Sequence, residues 1–171
     1  MSRELDTLRW QFDLALRLAA HHMPALTDEA CLWLPAPGAW TVRRGEDGRW
    51  RPDWSDQEPD PAPAVSIGWL TWHLLWWSTG FVDALEGAPP TAREDAFWPG
   101  AAAHVRVGFD DVAARWSRQF ATLSDAALER PFAHPWPEPR PLRIALAWAN
   151  AELMKNVAEI GALRHLYEAR H

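Results

Sequence analysis

The amino-acid sequence predicts an all-α protein, a four-helix bundle, and two observations lead to this prediction. Apolar residues recur every three or four positions in four separate stretches, which is the pattern of helices with buried faces. Two long connections interrupt these stretches. With 171 residues, of which 48% are hydrophobic, the chain is long enough to bury one core, and we expect a single domain over residues 1–171.

The first two predicted helices differ in how much of their surface is apolar. The first is expected over residues 2–23, with one apolar face made of Leu5, Leu8, Phe12, Ala15, Leu16, Ala19 and Met23. The second is expected to begin at Ser66, a good N-cap residue after a proline-rich approach, and to end near Gly87. Apolar residues surround the second helix completely, so we expect it to be central or to lie in an interface.

Two further helices and two connections complete the prediction. The third helix is expected over residues 101–123 and the fourth over residues 142–168. Within the first connection, residues 26–65, short polar strands around a Gly-Glu-Asp-Gly segment favour a small β-hairpin over residues 41–50. The second connection, residues 124–141, is rich in proline, and we expect it to be extended. Connections this long often form a lid or rim over a bundle end.

Composition excludes several classes of function. The net charge is −6 and no basic block occurs, which argues against nucleic-acid binding. His73 and Asp83 interrupt the best apolar stretch, so we expect no membrane span. A single cysteine, Cys31, allows neither an internal disulfide nor a cysteine-rich zinc site. We therefore expect a cytoplasmic protein.

Tryptophan is unusually abundant, with thirteen residues in one small domain. Each indole is bulky and carries one N–H group that needs an acceptor when it is buried. Such a content indicates either a very aromatic core or a pocket with aromatic walls, and the count alone does not choose between them.

His73 is the candidate for a functional site. On a helical wheel it lies among apolar residues of the second helix, with Trp69 and Trp77 beside it, so it is either a core histidine or part of an aromatic pocket. Asn156 falls inside the apolar arc of the fourth helix, and Glu152 lies one turn earlier on the same face.

A buried amide and a buried carboxylate need partners, because an unpaired one costs roughly 1–3 kcal/mol or more. A histidine from the facing helix would supply one, and a metal ion held between the side chains is the alternative. Glu159 lies on the margin of the same face and is included in the predicted pocket.

Three segments give the sequence a family resemblance. They are Trp33-Leu34-Pro35-Ala36-Pro37-Gly38-Ala39-Trp40-Thr41, Ser66-Ile67-Gly68-Trp69-Leu70-Thr71-Trp72-His73-Leu74 and Asn156-Val157-Ala158-Glu159-Ile160-Gly161. With these segments the chain resembles the DinB-like superfamily. The resemblance implies an up-down-down-up bundle with a long crossover, which is often dimeric, so we expect a homodimer.

The same resemblance implies a metal site from which this sequence departs. Typical members bind a divalent metal through one histidine of the second helix and a His-x-x-x-His pair of the fourth. His73 matches the first of these ligands, whereas the pair falls on Glu152 and Asn156. Glutamate binds zinc through oxygen, but asparagine is a poor ligand for a transition metal. A bound divalent ion such as Zn, Ni or Mn and a metal-free pocket therefore both stay open.

Two hypotheses of function follow. The first is a divalent-metal-dependent small-molecule transferase, acting on thiols, or a hydrolase, with His73, Glu152 and Asn156 as metal ligands. The second is a non-catalytic ligand-binding or dimeric stress-response protein that has lost the metal. The sequence does not reveal a substrate.

The remaining candidate residues are expected to play structural roles. His22 lies on the inward side of the first helix near its end, where it could reach a site at the end of the bundle. Structural or solvent-exposed roles are expected for His104, His134 and His165. Cys31 has neither a flanking base nor a second cysteine in a Cys-x-x-Cys motif, so we expect no nucleophilic role for it.

Overall fold

Four long α-helices and two short ones build the described part of the molecule. The structure is a computed structural model that describes residues 3–57 and 59–170. In chain order the helices are α1 (Arg3–His22), α2 (Asp28–Leu32), α3 (Ile67–Glu86), α4 (Ala102–Thr122), α5 (Asp125–Leu128) and α6 (Leu142–Glu168). Short 3₁₀ helices occupy Met23–Ala25 and Arg93–Asp95. The prediction of an all-α four-helix bundle is confirmed, since α1, α3, α4 and α6 form it.

Contacts between the long helices give their directions. Helices α1 and α6 are parallel, because Leu8 of α1 contacts Asn150 of α6 and, further along both helices, His22 contacts Gly161. Helices α3 and α4 are also parallel, because Leu75 of α3 contacts Gly108 of α4 and Asp83 contacts Arg115. Helices α3 and α6 are antiparallel, because Trp77 of α3 contacts Asn156 of α6, whereas the later Phe81 contacts the earlier Trp148. The order is therefore up-down-down-up, and residues 87–101 form the crossover between the two parallel helices.

The boundaries of α3 follow from local chemistry at its two ends. Ser66 is the N-cap, and its side chain accepts a hydrogen bond from the Trp69 backbone N–H at 3.1 Å. Gly87 ends the helix in the left-handed conformation at φ +80°, which glycine adopts without strain. Both ends of α3 agree with the prediction, and so do both ends of α6. The ends of α1 and α4 that the structure describes agree with the prediction to within one residue. Ser2, the predicted start of the first helix, lies outside the described residues.

The first connection contains the predicted hairpin and an unpredicted helix. Strand β1 (Val42–Arg44) pairs antiparallel with β2 (Trp50–Pro52), with Arg43 opposite Arg51. Helix α2 was not predicted, because five residues are too few to show a period. The start of α3 packs closely on this connection: a Cβ on Gly68 would lie 2.8 Å from the Cys31 carbonyl oxygen.

The second connection is more ordered than the prediction of an extended segment. It contains α5 and a ladder between β3 (Pro131–Phe132) and β4 (Arg140–Pro141), which leads directly into α6. Phe132 is buried against the ring of Phe81 on α3, at 5.3 Å between ring centroids. This contact fixes the segment that follows β3 against the side of α3.

Aromatic rings fill the centre of the bundle. Trp116 of α4 packs on Phe12 of α1 and on Phe81 and Trp77 of α3, with ring centroids between 5.1 and 5.9 Å apart. Large flat rings that contact each other from three helices bury much apolar area at each contact. In the part of the chain that the structure describes, no helix is long and apolar enough to cross a membrane. The domain limits, the homodimer and the cytoplasmic location stay predictions.

Candidate functional site: an aromatic cavity at His73

The indole of Trp69 holds the imidazole of His73 on one side. The two rings are stacked, with centroids 5.2 Å apart and planes 10° apart. Trp69 is itself fixed, because its Nε1 donates a hydrogen bond to the Asp53 carbonyl oxygen at 2.8 Å. The loop after the hairpin thus positions the tryptophan that orients His73.

Asn156 lies on α6 opposite His73 and is almost fully buried, with 1% of its surface exposed. Its Oδ1 accepts a hydrogen bond from Trp77 Nε1 at 2.8 Å. An indole N–H can only donate, so this bond determines that the amide oxygen faces Trp77. Nδ2, the other end of the amide, is buried, as is His73 Nδ1, and neither atom has a hydrogen-bond partner among the described residues.

The two glutamates predicted near His73 have different positions. Glu152 is half-buried, with 17% of its side chain exposed, and forms an ion pair with Lys155 at 2.6 Å. Glu159 is exposed on the surface of α6 and is not among the residues that line the cavity described below. The reason is rotation along the helix, since Glu159 lies about 60° from Asn156 around its axis.

The surroundings of His73 favour a neutral imidazole. Burial lowers its pKa from 6.5 to about 4, since a charged ring loses its hydration in the bundle. The carboxylate of Glu152 opposes this shift, the ammonium of Lys155 adds to it, and a hydrogen-bonding interaction with the side chain of Asn156 opposes it. The desolvation is the largest of these effects, so His73 acts as an uncharged hydrogen-bonding group at neutral pH.

A cavity of about 240 Å³ lies on the open side of His73. Two predicted pocket residues, His73 and Trp77, line it, whereas Trp69 stacks on the imidazole and is not among the lining residues. The wall combines α3 with Trp148 of α6, with the crossover segment (residues 87–101) and with the second connection. Its residues are His73, Trp76, Trp77, Gly80, Pro90, Thr91, His134, Pro135 and Trp148.

His134 is a site residue that the sequence prediction assigned to a structural or solvent-exposed role. The structure places its ring beside Gly80, where a Cβ would lie 3.8 Å from its Cε1 and Nε2 atoms. Burial lowers the pKa of His134. The loop of His134 has no periodic pattern from which this position could be predicted. The one signal in the sequence was Gly80, because a glycine among the bulky residues of a helix indicates that another part of the chain approaches its backbone closely.

The other interior histidine, His22, lies outside this site. It is buried at the end of α1, and its ring packs directly on Gly161 of α6. His21 and His165 contact it edge-on, at 4.8 and 5.6 Å between ring centroids. Within the described residues, no group of three or more His, Cys, Asp or Glu side chains is arranged to hold a metal ion, here or at His73.

The helix order and the interior polar site define a small helical bundle of the up-down-down-up class. Within that class the chain belongs to the DinB superfamily, whose sequence model matches residues 45–160. A crystal structure of a conserved protein from Enterococcus faecalis is similar in fold, with a TM-score of 0.65 over 97% of this chain and 98% of that chain. The two sequences are only 12% identical, so this similarity concerns the fold. No curated protein matches the chain.

The side chains at His73 do not fit the transition-metal site that the sequence resemblance implies. Glu152 is already paired with Lys155, whose positive charge opposes a nearby cation. The Asn156 oxygen already accepts from Trp77, and the unpaired end of the amide is an N–H₂ group, which repels a cation. One imidazole is left as a strong ligand, whereas catalytic zinc sites have three protein ligands.

The Trp77–Asn156 hydrogen bond predicts a coupled loss of stability. Asn156→Leu leaves the indole N–H buried without an acceptor and should lower the free energy of unfolding by about 2 kcal/mol. Trp77→Phe in the same chain removes the unpaired donor, so the double variant should lose less than the sum of the two single variants. Urea unfolding followed by circular dichroism measures all four proteins, and strictly additive losses would contradict the bond.

The lowered pKa of His73 predicts a specific dependence of stability on pH. Between pH 6.5 and about 4 the unfolded chain binds a proton at this residue and the folded chain does not, so stability falls as pH falls through this range. At pH 5 the loss is about 2 kcal/mol.

We therefore expect His73→Phe to lose less stability than the unmodified protein between pH 8 and pH 5. The difference at pH 8 gives the packing cost of the substitution alone, since His73 is neutral there in both states. Parallel pH profiles for the two proteins would show that the imidazole is not desolvated.

Proposed function

We propose that the protein binds a small organic molecule, without a metal, in the cavity at His73. The observation that carries this proposal is the cavity itself, about 240 Å³ in volume and walled by three tryptophans. Rigid aromatic walls with a few polar groups are typical of small-molecule sites. The proposal develops the ligand-binding alternative drawn from the sequence.

The volume indicates the size of the molecule. An apolar cavity of about 150 Å³ in another protein binds benzene. A cavity of about 240 Å³ accordingly has room for about two fused rings. Indole side chains on both α3 and α6 offer flat surfaces against which such rings stack.

The unpaired polar atoms support a ligand with hydrogen-bonding groups. Buried polar atoms in folded proteins nearly always have a partner, from the protein, from water or from a ligand. His73 Nδ1 and Asn156 Nδ2 have none among the described residues. Of these two residues His73 lines the cavity, so a polar group of a bound molecule, or a water beside it, would supply a partner for its imidazole.

The metal-dependent transferase or hydrolase is the second candidate, and the family membership is what favours it. The ion pair of Glu152 and the amide orientation of Asn156 count against it at this site. The chain's own thiol does not replace the metal chemistry, because burial raises the pKa of Cys31 to about 12 and keeps it protonated.

Binding to the cavity is tested with naphthalene, a two-ring probe without polar atoms. We expect saturable binding by calorimetry to the full-length protein, and at least about a tenfold loss of affinity in Gly80→Leu, whose side chain would occupy part of the cavity. Ala158→Leu, at an exposed position of α6, is the matched control and should bind like the unmodified protein. Equal affinities for all three proteins would show that the probe does not use the cavity.

The choice between the metal-free and metal-dependent functions is tested with ions. Protein purified without a chelator or a histidine tag should contain no stoichiometric Zn²⁺, Ni²⁺ or Mn²⁺ and should bind none at micromolar concentration. The double variant Glu152→His/Asn156→His should gain Zn²⁺ or Ni²⁺ binding, because it places two imidazoles one helical turn apart near His73.

Glu152→His alone is the control for that gain, since it leaves the Asn156 amide in place. A stoichiometric ion in the unmodified protein that disappears in His73→Ala would overturn the metal-free proposal and favour the enzyme.

A further inference from the structure

The cavity has an imidazole near each end. It follows α3 from His73 to Gly80, and His134 lies beside Gly80. Seven residues of α-helix span about 10 Å, so the two imidazoles belong to opposite ends of a slot rather than to one cluster. Trp76 and Trp77 lie between them on the same helix.

The position of His134 is held from several sides. Its ring packs against the rings of Phe81 and Phe132, with centroids 6.0 and 6.5 Å away. Phe132 belongs to the β3–β4 ladder and is buried. The absence of a side chain at Gly80 leaves the space into which this ring fits. A side chain fixed by packing in this way is suited to recognition, because little conformational entropy is lost when a ligand binds.

The lining determines the charge of the ligand. None of the described residues that line the cavity carries a charged side chain. Glu152 and Lys155, the charged groups that act on His73, form an ion pair with each other. A charged molecule would lose its hydration in this cavity without gaining an opposite charge, which is costly. An uncharged molecule meets no such penalty.

The indole N–H groups of α3 are already engaged. Trp76 Nε1 donates to the Thr91 carbonyl oxygen at 3.0 Å and Trp77 Nε1 donates to Asn156 at 2.8 Å. These bonds tie the crossover segment and α6 to α3. Four lining side chains carry other polar groups, namely the Thr91 hydroxyl, the Trp148 indole N–H and the imidazoles of His73 and His134. Each neutral imidazole has one nitrogen that donates and one that accepts.

We propose that the ligand is an uncharged, planar, fused-ring molecule with a hydrogen-bonding group at each end, one recognised by His73 and the other by His134. This inference rests on the proposed function, because it assigns a ligand class to the same cavity. His134, supplied by the second connection, is then a second recognition residue of the site.

Three probes with the same ring system test the inference: naphthalene, a naphthol with one hydroxyl, and the naphthalenediol with hydroxyls at opposite ends. Calorimetry on the full-length protein should give an affinity that rises about fivefold for each hydroxyl, the gain of one typical net hydrogen bond. His134→Phe should lose the gain of the diol over the naphthol, with both affinities compared within that variant so that any change in packing cancels. His134→Gln, which keeps a hydrogen-bonding side chain, should retain part of that gain.

The double variant His73→Phe/His134→Phe is the control that lacks both imidazoles, and it should bind all three probes with equal affinity. A near-ultraviolet circular dichroism spectrum like that of the unmodified protein shows that each variant is folded. If naphthalene binds but the gain of the diol over the naphthol is the same with and without His134, the role of His134 is overturned and the proposed function stands. If naphthalene does not bind the unmodified protein, the proposed function fails and this inference fails with it.

Discussion

One buried hydrogen bond, from Trp77 Nε1 to Asn156 Oδ1, connects the packing of the bundle to the chemistry of its site. It joins the antiparallel pair α3 and α6 at 2.8 Å, where both partners are buried. Because an indole has only a donor to offer, the bond takes the oxygen of the amide and leaves the N–H₂ group unpaired. A contact that stabilises the core therefore also decides that this position attracts an acceptor rather than a cation.

The tryptophans serve the core and the cavity at the same time, so the two interpretations of their number are not exclusive. Trp77 packs edge-on against Trp116 in the core and against Trp148 across the cavity. Rings of this size have few rotamers and cannot collapse into a neighbouring gap as a methionine side chain can. The stacked and edge-on rings consequently enclose a space that a core of flexible aliphatic side chains would have filled.

The bundle was predictable because its signals are local, whereas only part of the site was. Ser66 and Gly87 bound α3 through capping chemistry, and the Gly-Glu-Asp-Gly turn produced the hairpin. The helical period placed Asn156 in the core and also placed Glu159 too near the pocket, because a wheel shows the angle of a side chain but not which neighbour covers it. His134 reaches the cavity through the burial of Phe132 and the space left at Gly80, a long-range arrangement that no local pattern encodes.

The same bundle can carry different chemistry, because only a few positions determine which polar side chains lie at its centre. A neutral histidine in place of Asn156 would have one nitrogen with a free lone pair. If that nitrogen bound a metal ion, the N–H group of Trp77 would lose its acceptor. An asparagine at this position accepts the hydrogen bond of Trp77 with its amide oxygen, but it lacks the imidazole nitrogen that would bind a metal ion. Glu152, one turn earlier, pairs with Lys155. The two departures from the family's ligand pattern thus form one physical arrangement, because Asn156 pairs with Trp77 and Glu152 pairs with Lys155. This arrangement is the basis of the proposal that the space beside His73 binds a neutral molecule.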